Sequence, residues 1–586
     1  MKDTASREGK QRLVTVALVF GLTLVIWAVD CRALWATNLT SVGSVTILPN
    51  FETMAITVAY GDDDNGNLTA VVEYRAAGAT AWTTAFAPYI DRQQNVWSGE
   101  SRTLAVNPNY KQIRTSIFGL ARGLSYDVKV TVTDPDGVTG TNPATASAVT
   151  WSHDQPIVNG TIYYINSATG NDSNNGLTTA TAWATVSKAN STAAPGSTVR
   201  LSGSFAGVTW TKSGTSGAYV KIESLDPGAP AVITSLFTLS ANYVWLDHLH
   251  FDASLRTTGA EYCLIKSNTM HNHSGSYIGC VGLASGSTLG LLIDGNTIFN
   301  DVVPADESGS GIYINQAVTG RLVIRNNTIH TTWDGIGGTT NFAFDAGAPE
   351  GSDIYQNESY DAKDDGLEIE GGNVNVKIFR NLVHDSPTPG YGRVGIATAP
   401  VEIGPCFVFD NVIYNTDYGF KLGYGMGKGY YFNNTVWNVA YGAATAGGSA
   451  QNLEFVNNIW QASSYVYEQT DSYCTGWTTE RNNWDNSGQN NAKWLGTSGR
   501  TLSWMQSNGQ ETASQRVASG LVNSAAHDFH LLSGSALIDA GKSMRGISFD
   551  FLSNVRPQGA NFDLGAFEYQ SSAPKTLSPP AHLRNY

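Results

Sequence analysis

A chain of 586 residues is longer than one compact core usually fills, so several folding units or an elongated solenoid are expected. Gly (61), Tyr (26) and Trp (15) are plentiful and charged residues make up only 14%, a profile that suits turn-rich β structure and argues against long helices. A net charge of −14 with no basic stripe excludes nucleic acid as a partner, and it repels a polyanionic sugar unless a divalent cation stands between the two sets of carboxylates.

The chain opens with Lys2, Arg7, Lys10 and Arg12, continues with an apolar run from Leu13 to Val29, and reaches small residues at Ala33 and Ala36. Residues 1–36 therefore read as a secretory signal, which makes the mature chain extracellular and free of the membrane after cleavage. An uncleaved anchor is the competing reading, because the run approaches the ~18 residues of a spanning helix. Cys263, Cys280, Cys406 and Cys474 have no CxxC or Cys/His metal spacing. Cys263 and Cys280 either pair across adjacent coils or stay as buried thiols.

Residues 37–152 show short alternating strands broken by Gly, Asp and Asn turns, as in Thr53–Tyr60, Ala70–Arg75 and Tyr126–Val132. This pattern predicts a small β-sandwich. The stretches "VEYRAAGATAWTTA" and "IFGLARGLSYDVKVTVTDPDGVTG" resemble a fibronectin type III domain, which implies a spacer or docking module without a catalytic constellation.

After a linker near 152–160 the character changes, and residues 160–570 are expected to form an all-β, right-handed parallel β-helix. "YYINSATGNDSNNGLTTATAWATVSKA" looks like an opening coil in which a short helix covers the open end. Asn then recurs after short apolar strands, at Asn296, Asn327, Asn357, Asn381, Asn411, Asn434 and Asn458. The interval is about 23 to 31 residues, the length of one solenoid coil. Stacked Asn side chains can bond to one another in a ladder, so these residues are structural and set the register. The run ending in "FDLGAFEY" is expected to cover the last coil, and residues 571–586 to form a disordered tail.

Register leads to chemistry. Aligning the glycines of "WDGIG", "DDGLE", "RVGIA" and "YGFKL" puts Asp334 and Asp365 in one stacked column. Gly337, Glu368, Ala397 and Lys421 fall in the next, and Asp364 shares a third with Arg393. With coils ~4.8 Å apart, Glu368 and Lys421 stand ~10 Å apart, two coils away. Four crowded carboxylates, Asp334, Asp364, Asp365 and Glu368, demand raised pKa values or a counter-ion. Calcium suits them, because it takes 6 to 8 oxygen ligands in flexible geometry. Elimination across the C4–O4 bond of a uronate needs a base for the C5 proton. Lys421 is the candidate if nearby cations keep part of it neutral. Arg393 in the intervening coil is the expected source of that charge and of support for the developing enolate. No acid for the leaving oxygen is evident.

"DDGLE" resembles the Asp-Asp-Gly-aromatic-Asp calcium motif of family-nine polysaccharide lyases, which are similar to pectate lyases in their β-helix. "WDGIG" looks like their preceding coil with a single calcium Asp, and "YGFKLG" is similar to the segment with their base lysine. The resemblance implies Asp334, Asp364, Asp365 and Glu368 as calcium ligands, Lys421 as base, and pectate as leading substrate for a secreted, monomeric lyase of acidic polysaccharides. Glu368 stands where the family has Asp, Leu367 replaces an aromatic residue, and an extra coil with Arg393 precedes the lysine. Three other functions compete: a glycoside hydrolase or tailspike-like depolymerase working with two carboxylates, a uronate C5-epimerase, and a non-catalytic carbohydrate-binding surface protein.

His330, His384, Tyr360 and Tyr414 fall at equivalent positions after the ladder, which predicts turn packing. His248, His250, His271 and His273 lack a HExxH-type arrangement. Tyr391, Tyr424, Tyr430 and Tyr431 are expected either to stack on sugar rings or to serve packing alone.

Overall fold

The computed structural model describes residues 38–98, 102–271, 279–305, 309–338, 347–386, 393–489 and 491–571. The expected signal segment, His273, Tyr391 and nearly all of the expected tail lie outside them. Among the described residues, no helix is long and apolar enough to cross a membrane.

From residue 162 to residue 494 the strands stack in parallel coils, the arrangement of a parallel β-helix, and the strand pairings beyond them are antiparallel. A thirteen-stranded parallel sheet makes one face, and the strands that follow in each coil build two further parallel ladders. One coil runs through Leu322–Arg325, Thr328–Thr332 and Ile336–Gly338; the next through Asp353–Tyr355, Glu358–Ala362 and Asp365–Glu368. The interior is built from columns of apolar residues in register, such as Ile293, Ile324, Ile354, Ile378, Val408, Tyr431 and Phe455. All of these are buried.

The Asn ladder forms at the corner after the first face. Asn296 Nδ2 donates to Asn327 Oδ1 at 2.9 Å, Asn327 to Asn357 at 2.9 Å, and Asn357 to Asn381 at 3.1 Å. The chain of bonds continues through Asn411, Asn434 and Asn458, and it extends beyond the expected members to Asn268 and Asn482. The residue before each ladder Asn turns the corner in the left-handed region, at φ 55° for Asn326, Gln356 and Arg380. Such a conformation is uncommon outside glycine, so the ladder bonds hold it in place.

Each end of the coil stack carries a short helix. Val186–Thr192 buries Val186 and Ala189 against the first coils, as expected. Leu502–Ser507 buries Leu502 and Met505 at the other end. The C-terminal run does not cover the last coil. Instead Phe529 and Phe567 pack beside Val412 and Tyr414, and Leu531 and Leu564 beside Ile459, along the flank of the stack.

Residues 40–149 form two facing sheets. One has the order Val138–Gly140, Thr40–Pro49, Met54–Asp62, Gln112–Ile117, Tyr89–Asp91; the other Ala144–Val149, Ser125–Thr133, Thr69–Ala76, Thr83–Thr84. Ile56, Val58, Val72, Val128 and Val130 fill the space between them. This sandwich docks against the outer side of the thirteen-stranded sheet. There Tyr355, Phe379, Phe409 and Phe432 point outward as a ring stack with spacings of 4.7, 4.9 and 4.8 Å. Phe86 packs on Phe407 and Phe432, and Phe118 on Phe407 and Phe409. Strands such as Cys406–Phe409 are therefore buried on both faces and carry no alternation.

Candidate functional site

The third face stacks Ile336–Gly338, Asp365–Glu368, Val394–Ala397 and Tyr418–Lys421 in parallel. Leu367, Ile396 and Phe420 are in register and point into the core, while Glu368, Ala397 and Lys421 share the neighbouring column. One coil thus separates the acids from the lysine.

The repeated glycine has a packing cause. A Cβ at Gly366 would lie 2.3 Å from Val383 Cγ1, at Gly395 2.4 Å from Ile413 Cγ2, and at Gly419 2.5 Å from Val436 Cγ1. The second face fills the space that a side chain would need. Gly337 plays a different part: a Cβ there would meet Glu368 Oε2 at 2.9 Å and Asp334 Oδ2 at 3.0 Å, so the two carboxylates converge over it.

Lys421 Nζ lies 3.0 Å from Asp365 Oδ2 and 3.5 Å from Glu370 Oε1. Asp365, Glu368 and Glu370 each bring one carboxylate oxygen to within 4.8 Å of the others. Asp334 adjoins this group but spends its oxygens on protein donors: Asp365 N donates to Oδ1 at 3.2 Å and Ser310 Oγ to Oδ2 at 3.2 Å. Asp364, half-buried on the flank, acts on Asp334 and Glu368 through its charge. The tightest carboxylate trio is thus Asp365, Glu368 and Glu370, rather than the four acids expected from sequence.

Electrostatics follow from this crowding. Burial and the charge of Asp365 push Glu368 up to about 8. Burial and the charge of Glu368 hold Glu370 and Asp334 well above the usual carboxylate range. For Lys421, burial lowers the pKa, but the charges of Asp365, Glu370 and Glu368 together outweigh it and raise the value above that of an ordinary lysine. The amine is therefore held as an ammonium, opposite to what a base requires.

Arg393 does not relieve this, which corrects the expected role. Its Nε donates to Asp417 Oδ2 at 3.0 Å, its Nη2 to Asp417 Oδ1, and its Nη1 to the Ser386 carbonyl at 3.1 Å. The guanidinium is engaged with the following coil and turned to its own ion pair. Glu370 was not singled out from sequence, although a signal existed: it follows Glu368 by two residues, the same-side spacing of an extended chain.

The donor set suits a hard cation. All donors are oxygens, and Asp365 Oδ1 and Glu370 Oε2 are buried and accept no hydrogen bond. An ion binding here would add to the compensation that Lys421 gives Asp365 and Glu370.

Other expectations resolve by packing. Tyr430 and Tyr431 are not exposed: Tyr430 packs on Phe86 and Phe407, and Tyr431 is buried with its hydroxyl 2.5 Å from Thr398 Oγ1. Tyr424 is half-buried. His330, Tyr360, His384 and Tyr414 stack at 4.8, 5.2 and 4.8 Å, continuing a column that includes Phe299 and His271. Cys263, Cys280, Cys406 and Cys474 are buried thiols and form no disulfide with one another.

No family model and no curated protein matches the chain. Among solved structures it is similar to one described as the crystal structure of the Agl-KA catalytic domain, with 12% identity over 83% of this chain and 96% of that one, at a TM-score of 0.31. A likeness at that level carries no argument about family or activity.

Proposed function

We propose that the chain is a secreted, monomeric polysaccharide lyase that cleaves an acidic uronate-containing polymer, pectate first among them, by calcium-assisted β-elimination with Lys421 as the base. The observation that carries this reading is the contact of the Lys421 amine with Asp365 and Glu370 inside a buried carboxylate group on the outer side of a coil face. Asp365, Glu368 and Glu370 would hold the calcium, with Asp334 and Asp364 as flanking acids. The ion, when bound, supplies charge compensation for the substrate carboxylate and acidifies the adjacent C5 proton.

The remaining work falls to the chain. As the charge on Asp365, Glu368 and Glu370 is compensated, the forces that raise Lys421 weaken and burial, which lowers its pKa, takes over. Lys421 Nζ then accepts the C5 proton, the C4–O4 bond breaks, a double bond forms between C4 and C5, and water protonates the departing oxygen. The N-terminal sandwich is read as a fibronectin type III-like module, a reading supported by its two facing sheets around a shared core. The coil stack is read as right-handed, as nearly all parallel crossovers are.

The test is incubation of the purified chain with polygalacturonate, alginate and rhamnogalacturonan, with calcium and with chelator. Ultraviolet absorbance of an unsaturated uronate that appears only with calcium is the expected result. Reducing ends released without that absorbance and regardless of chelator would overturn it. They would favour a glycoside hydrolase instead, a reading supported by Glu368, which is pushed to about 8 and so stays protonated near neutral pH beside other carboxylates.

A further inference from the structure

A cleft of about 1080 Å³ lies away from the acid group, at the corner that follows the thirteen-stranded sheet in the N-terminal coils. Its floor crosses successive coils, because Lys266, Asp294 and Arg325 are in register on adjacent strands. Lys266 and Arg325 therefore stand two coils, or ~10 Å, apart along the axis. One wall is the turn at 227–230, and the other is the linker residue Asp154 with Arg122 of the sandwich.

The charges in this cleft are sorted by depth. Asp154 and Asp294 keep only 9% and 7% of their side-chain surface, whereas Arg122 and Lys266 keep 41% and 31%. The two acids are consumed by Arg325, which lies 3.1 Å from Asp154 and 3.0 Å from Asp294, and by the Arg122 pair with Asp154, and Nε and Nη2 of Arg122 donate in turn to Glu52. Lys266 sits 3.9 Å from Asp294, at the outer limit of an ion pair. Lys266 is thus the cation of the cleft least engaged by acids, while the Arg122 guanidinium on the wall is held by Glu52 and Asp154, on a protein whose net charge is −14.

We propose that this cleft is a second polysaccharide-binding site, one that holds a linear run of carboxylate-bearing sugars with Lys266 as its charged contact and the Arg122 guanidinium, fixed by Glu52 and Asp154, as a wall. Its floor runs along the coil axis, which fits a linear chain, and the buried Arg325 network fixes the walls before the ligand arrives. The site differs in physics from the acid group. It uses the protein's own cations, so it needs no divalent ion, and screening by salt weakens it. The inference shares with the lyase reading only the class of polymer.

Affinity electrophoresis of the full chain through gels containing polygalacturonate, with chelator throughout, tests it. Retention that persists with chelator, fades as salt rises, and drops about fivefold in Lys266→Glu, a change of ~1 kcal/mol, is expected. Lys266→Arg should retain the parent's mobility shift, and equal melting temperatures for the three proteins exclude a folding defect as the cause. Equal retention of Lys266→Glu and the parent, equal retention by gels containing neutral dextran, or no retention once chelator is present would each overturn the proposal. A chain that is retained with chelator yet produces no unsaturated uronate would sink the lyase reading and leave this one standing.

Discussion

Lys421 and Asp365 come from strands two coils apart, yet their charged atoms lie 3.0 Å apart, because the lysine reaches back along the outer face toward the acids. This contact ties the candidate base to the candidate ion site, so the state of one sets the state of the other. Lys421→Ala should lower the rate of unsaturated-uronate formation by about 100-fold or more, the usual contribution of a positioned base. Arg393→Ala, which breaks only the pair with Asp417, should cost far less. Initial rates by ultraviolet absorbance separate the two.

Glu370 is the acid that sequence reading passed over. If it holds the ion, Glu370→Gln should weaken calcium binding by about tenfold, since affinity follows the number of charged ligands. Isothermal titration against the parent chain checks this; unchanged affinity would remove Glu370 from the ligand set.

Glu368 makes a prediction about pH. Its folded value of about 8 stands above its ordinary 4.5, so the folded state binds the proton more tightly than the unfolded chain. Its contribution to stability is fully present below about 4.5 and is lost as pH rises through about 8. Without calcium the melting temperature should fall across that window. Added calcium should flatten the fall by favouring the ionised form, and Glu368→Gln should also flatten it. Melting curves in a pH series with and without chelator measure both.

The ladder should resist truncation. Asn357 Oδ1 accepts from the Asn327 backbone and side chain, and its Nδ2 donates to the Ile324 carbonyl at 3.0 Å. Asn357→Ala leaves several buried polar groups without partners and should cost about 3 kcal/mol. Denaturant unfolding followed by tryptophan fluorescence would show the loss; a cost below ~1 kcal/mol would mean that water takes over the ladder bonds.

The sandwich interface rests on Phe86, which packs on Phe407, Tyr430 and Phe432. Phe86→Ala should cost ~3–5 kcal/mol of docking. Limited proteolysis should then cut the linker near residues 152–160 well before it cuts the parent.

Much of this architecture was legible because its repeating parts are chemically marked. The Asn ladder and the glycine column each place one residue type where a neighbour leaves no alternative, Gly366 under Val383 being an example. That alone aligned Glu368 with Lys421 two coils on. What could not be read were directions. Sequence gives Arg393 a column but not the Asp417 carboxylate that draws its side chain into the next coil. Nor does the apolar run at Cys406–Phe409 say that Phe407 and Phe409 face outward beneath Phe86 and Phe118 of the sandwich. The C-terminal run likewise carries the apolar residues needed to cover a coil end, and only the outward surface of Val412 and Ile459 draws it to the flank.

The parallel stacking also constrains how such a centre can diversify. The gap between the acids and the lysine amounts to a whole number of turns, so it cannot be tuned by small adjustments. Adding or deleting one entire turn would move the amine by ~4.8 Å in a single jump while leaving the surrounding backbone intact. Reach toward differently shaped sugars would then vary in discrete increments, with the length of the lysine side chain as the fine control.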